Sequence, residues 1–195
     1  FRAPPSDASI ANDSARRNPD NRYDVFIYHL GGVYGYTTPE QWTSPATSFI
    51  EVDNDYTGFP TPQQGAMQVT AAHEFFHAVQ FAYDVNEDIW WMEATSTYME
   101  DEVYPAVNDN YFYLPDWFEN SDALGLSTFD GWHEYGSFIW AKRLSEDFGD
   151  AIIRTIWEQC VATDCLTAIA RAIAGNGVSL ADEFETFVRA NYFLE

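Results

Sequence analysis

The sequence is poor in basic residues. Nine Lys and Arg face 31 Asp and Glu among 195 residues, which gives a formal net charge of -22, and Lys142 is the only lysine. A surface of this sign repels nucleic acid and anionic membrane, so we expect neither as a partner. The charge fits either a solubilising secreted surface or adaptation to high salt, in which counterions screen the repulsion. The sequence carries no indication of oligomeric state.

Long apolar runs and cysteines are scarce as well. No segment approaches the length of a transmembrane helix. Because the sequence begins at Phe1 rather than Met, we expect a processed, secreted piece with a signal or pro-segment upstream. Cys160 and Cys165, the only cysteines, are spaced too widely for a CxxC motif. We predict a local disulfide between them at a helix–helix turn; the alternative is two small buried apolar side chains.

The order of local patterns predicts an α+β fold, in which a small N-terminal sheet is followed by a mostly helical half. Residues 1–22 form a polar arm, and residues 23–195 form one domain, with the sheet and first helix ending near 83 and a helical lobe over 84–195. Thr61, Pro62 and Gln64 predict an N-cap, an N1 proline and a capping box for that first helix. The expected strands are 23–30, 33–37 and 47–52, and the expected helices are 62–83, 89–103, 133–148, 150–160, 165–174 and 180–193, with an aromatic, acidic connection over 104–130.

His73-Glu74-Phe75-Phe76-His77 is an HExxH motif inside the first predicted helix. Residues four apart lie one turn above each other, so both imidazoles can bind one metal ion. Glu74 projects about 100° around the helix from His73 and can lie beside a metal-bound water. Zinc then needs a third protein ligand and an open fourth position. Glu93, one turn inside the second helix, is our candidate, and Glu100 on the same face is either a competing ligand or an orienting partner of a histidine.

HEFFH together with Trp91-Met92-Glu93-Ala94-Thr95-Ser96 resembles the gluzincin zinc metallopeptidases. The resemblance implies a zincin-like fold, a His73–His77–Glu93 zinc site and a peptide or protein substrate. It also implies that Glu74 is the general base for a metal-activated water. A Tyr or His from a later helix would stabilise the oxyanion, which indicates Tyr135 or His133. Because the two cannot share one helical face, only one of them is expected to point into the cleft, and Tyr135 is our preference.

The resemblance further implies that an extended peptide pairs with an edge strand above the motif helix, and strand 47–52 is our candidate. Asp53, Asp55 and Gly58 resemble the start of a calcium loop, but Gln64 stands at its twelfth position, which favours an Asx-rich turn. Calcium elsewhere in the acidic arm or loops is a weaker expectation. His29, within the first strand, is expected to be structural. Two alternatives remain open: a zinc-stabilised, non-catalytic binding or surface module, and another zinc-assisted hydrolysis.

Overall fold

A computed structural model describes residues 1–5 and 22–193. The predicted α+β class is confirmed, with a three-stranded sheet followed by helices. Only Phe1–Pro5 and Arg22 of the predicted arm lie within the described residues; there, the Phe1 ring packs edge-on against Phe76, with centroids 5.0 Å apart. The elements are β1 (Val25–Tyr28), β2 (Gly35–Pro39), β3 (Ser48–Asp53), α1 (Gln63–Gln80), α2 (Ile89–Val103), a 3-10 helix (Asp109–Tyr113), α3 (Leu114–Glu119), α4 (His133–Gly136), α5 (Phe138–Phe148), α6 (Ala151–Cys160), α7 (Cys165–Ala174) and α8 (Leu180–Phe193).

The sheet has the order β1–β3–β2, with β1 parallel and β2 antiparallel to β3. The prediction that strand 47–52 is an edge strand is therefore wrong. Ile50 of β3 lies in register with Val25 on one side and Thr37 on the other, so β3 is hydrogen-bonded along both edges. Among the described residues, the edge strand beside α1 is β2.

A close contact brings β2 onto α1. A Cβ added to Gly35 would lie 2.9 Å from Thr70 Cγ2 and 3.2 Å from Glu74 Cγ, with the Glu51 carbonyl oxygen at 2.8 Å. A side chain at position 35 would hold the strand away from the helix. Glycine thus allows β2 to lie directly beside the motif residue Glu74.

Helix α1 begins differently from the prediction. Its N-cap is Pro62, and no side chain caps its first turn. The Thr61 hydroxyl, predicted as the cap that accepts from the first turn, instead donates a charge-assisted hydrogen bond to the Asp109 carboxylate. The helix ends at Gln80, and a turn through Tyr83 completes the predicted length.

The predicted helix 133–148 is two helices, α4 and α5, separated at Ser137. The indole Nε1 of Trp117 donates to Ser137 Oγ (3.1 Å), while that hydroxyl reaches the Leu126 carbonyl oxygen at 3.0 Å. A Cβ added to Gly136 would lie 2.7 Å from Trp117. The break therefore accommodates the indole of Trp117 from α3, an element that was predicted only as part of a connection.

The core is centred on α2, which packs against α1, α4 and α5. The largest fully buried side chains of the core are the indoles of Trp91, Trp140 and Trp157. Cys160, at the end of α6, and Cys165, at the start of α7, are buried as free thiols, so the predicted disulfide is wrong and the apolar alternative describes them better. The thiol of Cys165 contacts Asp88 Oδ2 at 3.6 Å, which directs it toward the turn before α2. None of the helices within 1–5 and 22–193 is both long and apolar enough to cross a membrane.

Candidate metal centre

His73, Glu74 and His77 project from one side of α1 into the space beneath β2. All three are buried, with at most 8% of each residue exposed. The two imidazoles are one turn apart, and their centroids are separated by 4.8 Å. The helical spacing of the motif therefore brings the two rings together as predicted.

Glu93 reaches the same point from α2. Its Oε2 lies 3.0 Å from His73 Nε2 and 3.5 Å from His77 Nε2. Ligand atoms of His73, His77 and Glu93 all lie within 4.8 Å of one another. Two imidazole nitrogens and one carboxylate oxygen thus converge on a single small volume.

Glu100 occupies the opposite side of His73, where its Oε1 lies 2.7 Å from His73 Nδ1. It therefore does not share the point at which the Nε2 atoms meet Glu93. Of the two roles predicted for Glu100, this placement matches the orienting partner. A carboxylate that accepts the Nδ1 proton leaves Nε2 with its lone pair available for a metal ion.

Gln80, which sequence reasoning missed, performs the corresponding role for His77. Its Nε2 is 2.8 Å from the Met92 carbonyl oxygen and 3.0 Å from Thr95 Oγ1. Because a carbonyl oxygen can only accept, Gln80 Oε1 faces His77 Nδ1, at 2.7 Å, as the acceptor. The signal available in the sequence was a glutamine three residues after His77, at the end of the motif helix.

The buried histidines and carboxylates of the cluster shift one another's pKa values. Burial opposes protonation of His73, yet its hydrogen bonds to the Glu100 and Glu93 carboxylates raise its pKa well above the usual value. Burial also raises the pKa of Glu100 to about 7. Burial opposes ionisation of Glu93 as well, but the His77 and His73 side chains hold its pKa below the usual range. Two carboxylates beside two imidazoles therefore require compensating positive charge, from protons or from a metal ion.

Glu74 lies apart from this cluster and is held by β2. The Thr37 hydroxyl contacts the Glu74 carbonyl oxygen at 2.7 Å and its carboxylate Oε2 at 2.8 Å. Thr37 is the second residue that sequence reasoning missed, since nothing local marks it. The edge strand thus fixes the carboxylate beside the histidines rather than between them.

The structure brings Tyr135, but not His133, to the histidines. The Tyr135 ring lies 6.0 Å from the His73 ring and stacks on Tyr113 at 4.9 Å. Burial, reinforced by the Glu93 charge, raises the pKa of Tyr135, so its hydroxyl keeps its proton at neutral pH. His133 instead stacks on Trp117 at 5.5 Å, and neither of its ring nitrogens has a hydrogen-bond partner. Burial accordingly lowers the pKa of His133.

A reciprocal pair of side-chain caps positions the turn before Tyr135. Asp130 Oδ1 accepts from the backbone amides of Trp132 (2.9 Å) and His133 (2.8 Å). Glu134 Oε1 accepts from the backbone amide of Gly131 at 3.0 Å. The two carboxylates therefore hold the turn between Asp130 and His133, although their separation of four residues differs from the three of a capping box.

Two cavities adjoin the histidines and share His73, Glu74 and Tyr135 in their walls. The first, which we call the aromatic cavity, has a volume of about 390 Å³ and extends toward Tyr34, Phe59 and Phe112. The second, of about 520 Å³, extends along β2 toward Trp42. The centre is therefore open to a ligand from two sides.

The stretch predicted as an Asx-rich turn forms one. Asp53 accepts from the backbone amides of Leu30, Asp55 and Tyr56. These hydrogen bonds lower the pKa of Asp53 to about 2. The exposed His29 lies 3.6 Å from Asp53 Oδ2. Both Asp53 oxygens already accept backbone protons, as in other Asx turns.

Residues 59–191 match a protein-family profile described as a family of unknown function (DUF6055), and the chain belongs to that family. The matched range includes α1, Glu93 and Tyr135. No curated protein matches the chain, and no solved structure does so.

Proposed function

We propose that this DUF6055 member is a gluzincin-type zinc peptidase, with His73, His77 and Glu93 as the metal ligands. One observation carries the proposal: both Nε2 atoms approach the same Glu93 oxygen, at 3.0 and 3.5 Å. Each histidine is also anchored through its other nitrogen, by Glu100 or Gln80. Side chains arranged only to fill a core do not need this convergence.

The donor set fits zinc. Two imidazole nitrogens and one carboxylate are the ligands of catalytic zinc sites that keep a fourth position open. Acceptors at both Nδ1 atoms fix the ring orientations, as in established zinc sites. A zinc ion held there would polarise a substrate carbonyl group and lower the pKa of a bound water.

The remaining groups are placed for hydrolysis of a peptide bond. Glu74 would accept the proton of the attacking water and transfer it to the leaving amine. Tyr135, protonated and beside His73, would donate a hydrogen bond to the developing oxyanion. This assignment leaves His133, in the core against Trp117, without a catalytic role.

An extended peptide would pair with β2, which replaces the strand predicted from the sequence. β2 is an edge of the described sheet and lies against the helix that carries the histidines. Addition of a strand to such an edge satisfies the backbone of the peptide and leaves its side chains to enter the flanking cavities. The same proposal includes a zincin-like arrangement of sheet and helix and a secreted location. It also includes no nucleic-acid or membrane partner, because the chain has a net charge of -22.

The test compares the native chain with Glu74→Gln for zinc content and for cleavage of a mixed peptide library. We expect both proteins to bind one zinc ion, and we expect only the native chain to cleave. The matched control is Glu119→Gln, an exposed position at the end of α3, which should behave as the native chain does.

The outcomes separate the alternatives left open by the sequence. Full cleavage by Glu74→Gln would exclude this residue as the base. Zinc bound by the native chain without cleavage of any peptide would favour the binding module. Loss of zinc from His77→Ala, with no loss from His133→Ala, would support His77 as a ligand and exclude His133.

A further inference from the structure

The aromatic cavity has features that the proposed hydrolysis does not explain. Its apolar wall includes six aromatic side chains: Tyr34, Phe59, Phe112, Tyr113, Trp132 and Tyr135. Phe112 and Trp132 remain 56% and 45% exposed although both are large. Exposed aromatic side chains around a concave surface are typical of a ligand site.

The other feature is the sign of its charged groups. Besides Glu74, the cavity is lined by Asp109 and Glu100, and none of the lysines or arginines within residues 1–5 and 22–193 contributes to it. Both residues are more than nine-tenths buried. Asp109 Oδ1 accepts from the hydroxyls of Tyr34 (3.0 Å) and Thr61, whereas Glu100 Oε2 is buried with no hydrogen-bond partner.

We propose that the aromatic cavity binds a positively charged side chain of the substrate, arginine or lysine, next to the bond that is cleaved. This inference rests on the proposed peptidase function for its location, because His73 and Glu74 form part of the cavity wall. It adds a substrate class, peptides with a basic residue beside the cleavage point.

The combination of aromatic walls and buried carboxylates favours a cation over an apolar side chain. Aromatic rings attract guanidinium and ammonium groups, and carboxylates form charge-assisted hydrogen bonds with them. An apolar side chain in the same cavity would further desolvate Asp109 without compensating its charge. A cavity of about 390 Å³ also accommodates the long stem of arginine or lysine.

The charge of the whole chain acts in the same direction. At -22, the protein attracts basic peptides and repels acidic ones over long distances, which increases the encounter rate at low salt. This general attraction does not depend on any one residue, whereas selective binding in the aromatic cavity depends on the residues that line it. A control that removes an acidic residue elsewhere therefore separates the two effects.

The experiment measures equilibrium binding of short alanine-based peptides to zinc-loaded Glu74→Gln protein, which holds a peptide without cleaving it. Arginine, citrulline or norleucine is placed in turn at each position. Citrulline retains the shape of arginine without its charge. We expect one position at which arginine binds about tenfold more tightly than citrulline, as for a hydrogen bond to a charged group.

Asp109→Asn, added to Glu74→Gln, should reduce that ratio to near unity. Asp122→Asn, in an exposed turn and outside both cavities, should leave the ratio unchanged. Circular dichroism checks the fold of each protein. If Asp109→Asn does not fold, Trp132→Leu, at an exposed position, provides a second reading, because it should lower the arginine-to-citrulline ratio through loss of the aromatic ring.

Equal affinity for arginine and citrulline at every position would overturn the inference. So would an arginine preference that survives both Asp109→Asn and Trp132→Leu. The peptidase proposal can fail independently of this inference. If the native chain binds arginine peptides selectively but cleaves none, the subsite stands and the catalytic function is refuted. If it cleaves peptides without any preference for basic residues, the catalytic function stands and the subsite is refuted.

Discussion

Replacement of Glu100 should weaken zinc binding although Glu100 is not a proposed ligand. Its Oε1 lies 2.7 Å from His73 Nδ1, and the residue is buried on α2. In Glu100→Gln, an amide oxygen can still accept the Nδ1 proton, but the stronger hydrogen bond that an ionised Glu100 forms with His73 is lost. In Glu100→Ala, the Nδ1 proton has no acceptor in a buried space.

The expected magnitudes follow from the partners of metal-bound histidines, which change metal affinity by about 10- to 100-fold. We place Glu100→Gln near the lower limit and Glu100→Ala near the upper one, which corresponds to about 1.4 and 2.7 kcal/mol. Competition with a chromophoric zinc chelator at neutral pH measures both affinities. Near-ultraviolet circular dichroism verifies that the core of each variant is intact.

Glu102→Gln is the matched control, because Glu102 is on the same helix but exposed. Its zinc affinity should equal that of the native chain. Native affinity in Glu100→Ala would refute the reasoning, since the buried proton on His73 Nδ1 would then have no influence on the ligand. A loss as large in Glu102→Gln would attribute the effect to net charge rather than to orientation.

Three further predictions concern catalysis, packing and pH. Tyr135→Phe should lower kcat about 100-fold with unchanged zinc content, as expected for loss of an oxyanion donor; an unchanged kcat in a peptide assay would remove Tyr135 from the mechanism. Gly136→Ala should reduce the free energy of unfolding by about 1–3 kcal/mol through overlap with Trp117, whereas Gly125→Ala, which meets no neighbouring atom, should not; urea titration compares them. Burial, with the Asp147 charge, raises the pKa of Glu183 from 4.5 to about 7. The folded chain therefore holds a proton that the unfolded chain releases, so stability should fall as pH rises from about 4.5 to 7. Glu183→Gln should flatten that fall in urea titrations below and above this window, and an unchanged slope would contradict the assignment.

The residues of the metal centre could be predicted from the sequence because their geometry is local. His73, Glu74 and His77 depend only on the 3.6-residue period of one helix. Glu93 required one more inference, that the next helix packs against the first. The partner residues are harder to predict from the sequence, because their roles depend on which atoms face each histidine or carboxylate after packing. They are Thr37, Gln80 and Glu100. Of these, only Glu100 was considered in advance, as one of two alternatives.

The errors have a common physical cause, competition from tertiary contacts. The Thr61 hydroxyl binds Asp109 rather than the first turn of α1, and Ser137 interrupts a continuous helical pattern because Trp117 packs against it. The order of strands is likewise invisible in local alternation, since it depends on which strands pair after folding. Local patterns thus indicated which elements form but not which element competes for a given hydrogen bond.

Thr37 gives β2 a dual role. The strand proposed to receive the peptide backbone also holds Glu74, through one hydroxyl that contacts the helix backbone and the carboxylate together. A displacement of this strand by a fraction of an ångström would therefore misalign the substrate and the base in the same movement. Molecules that wedge beneath β2 near Gly35, without touching the metal ligands, offer a route to inhibition that does not depend on chelation.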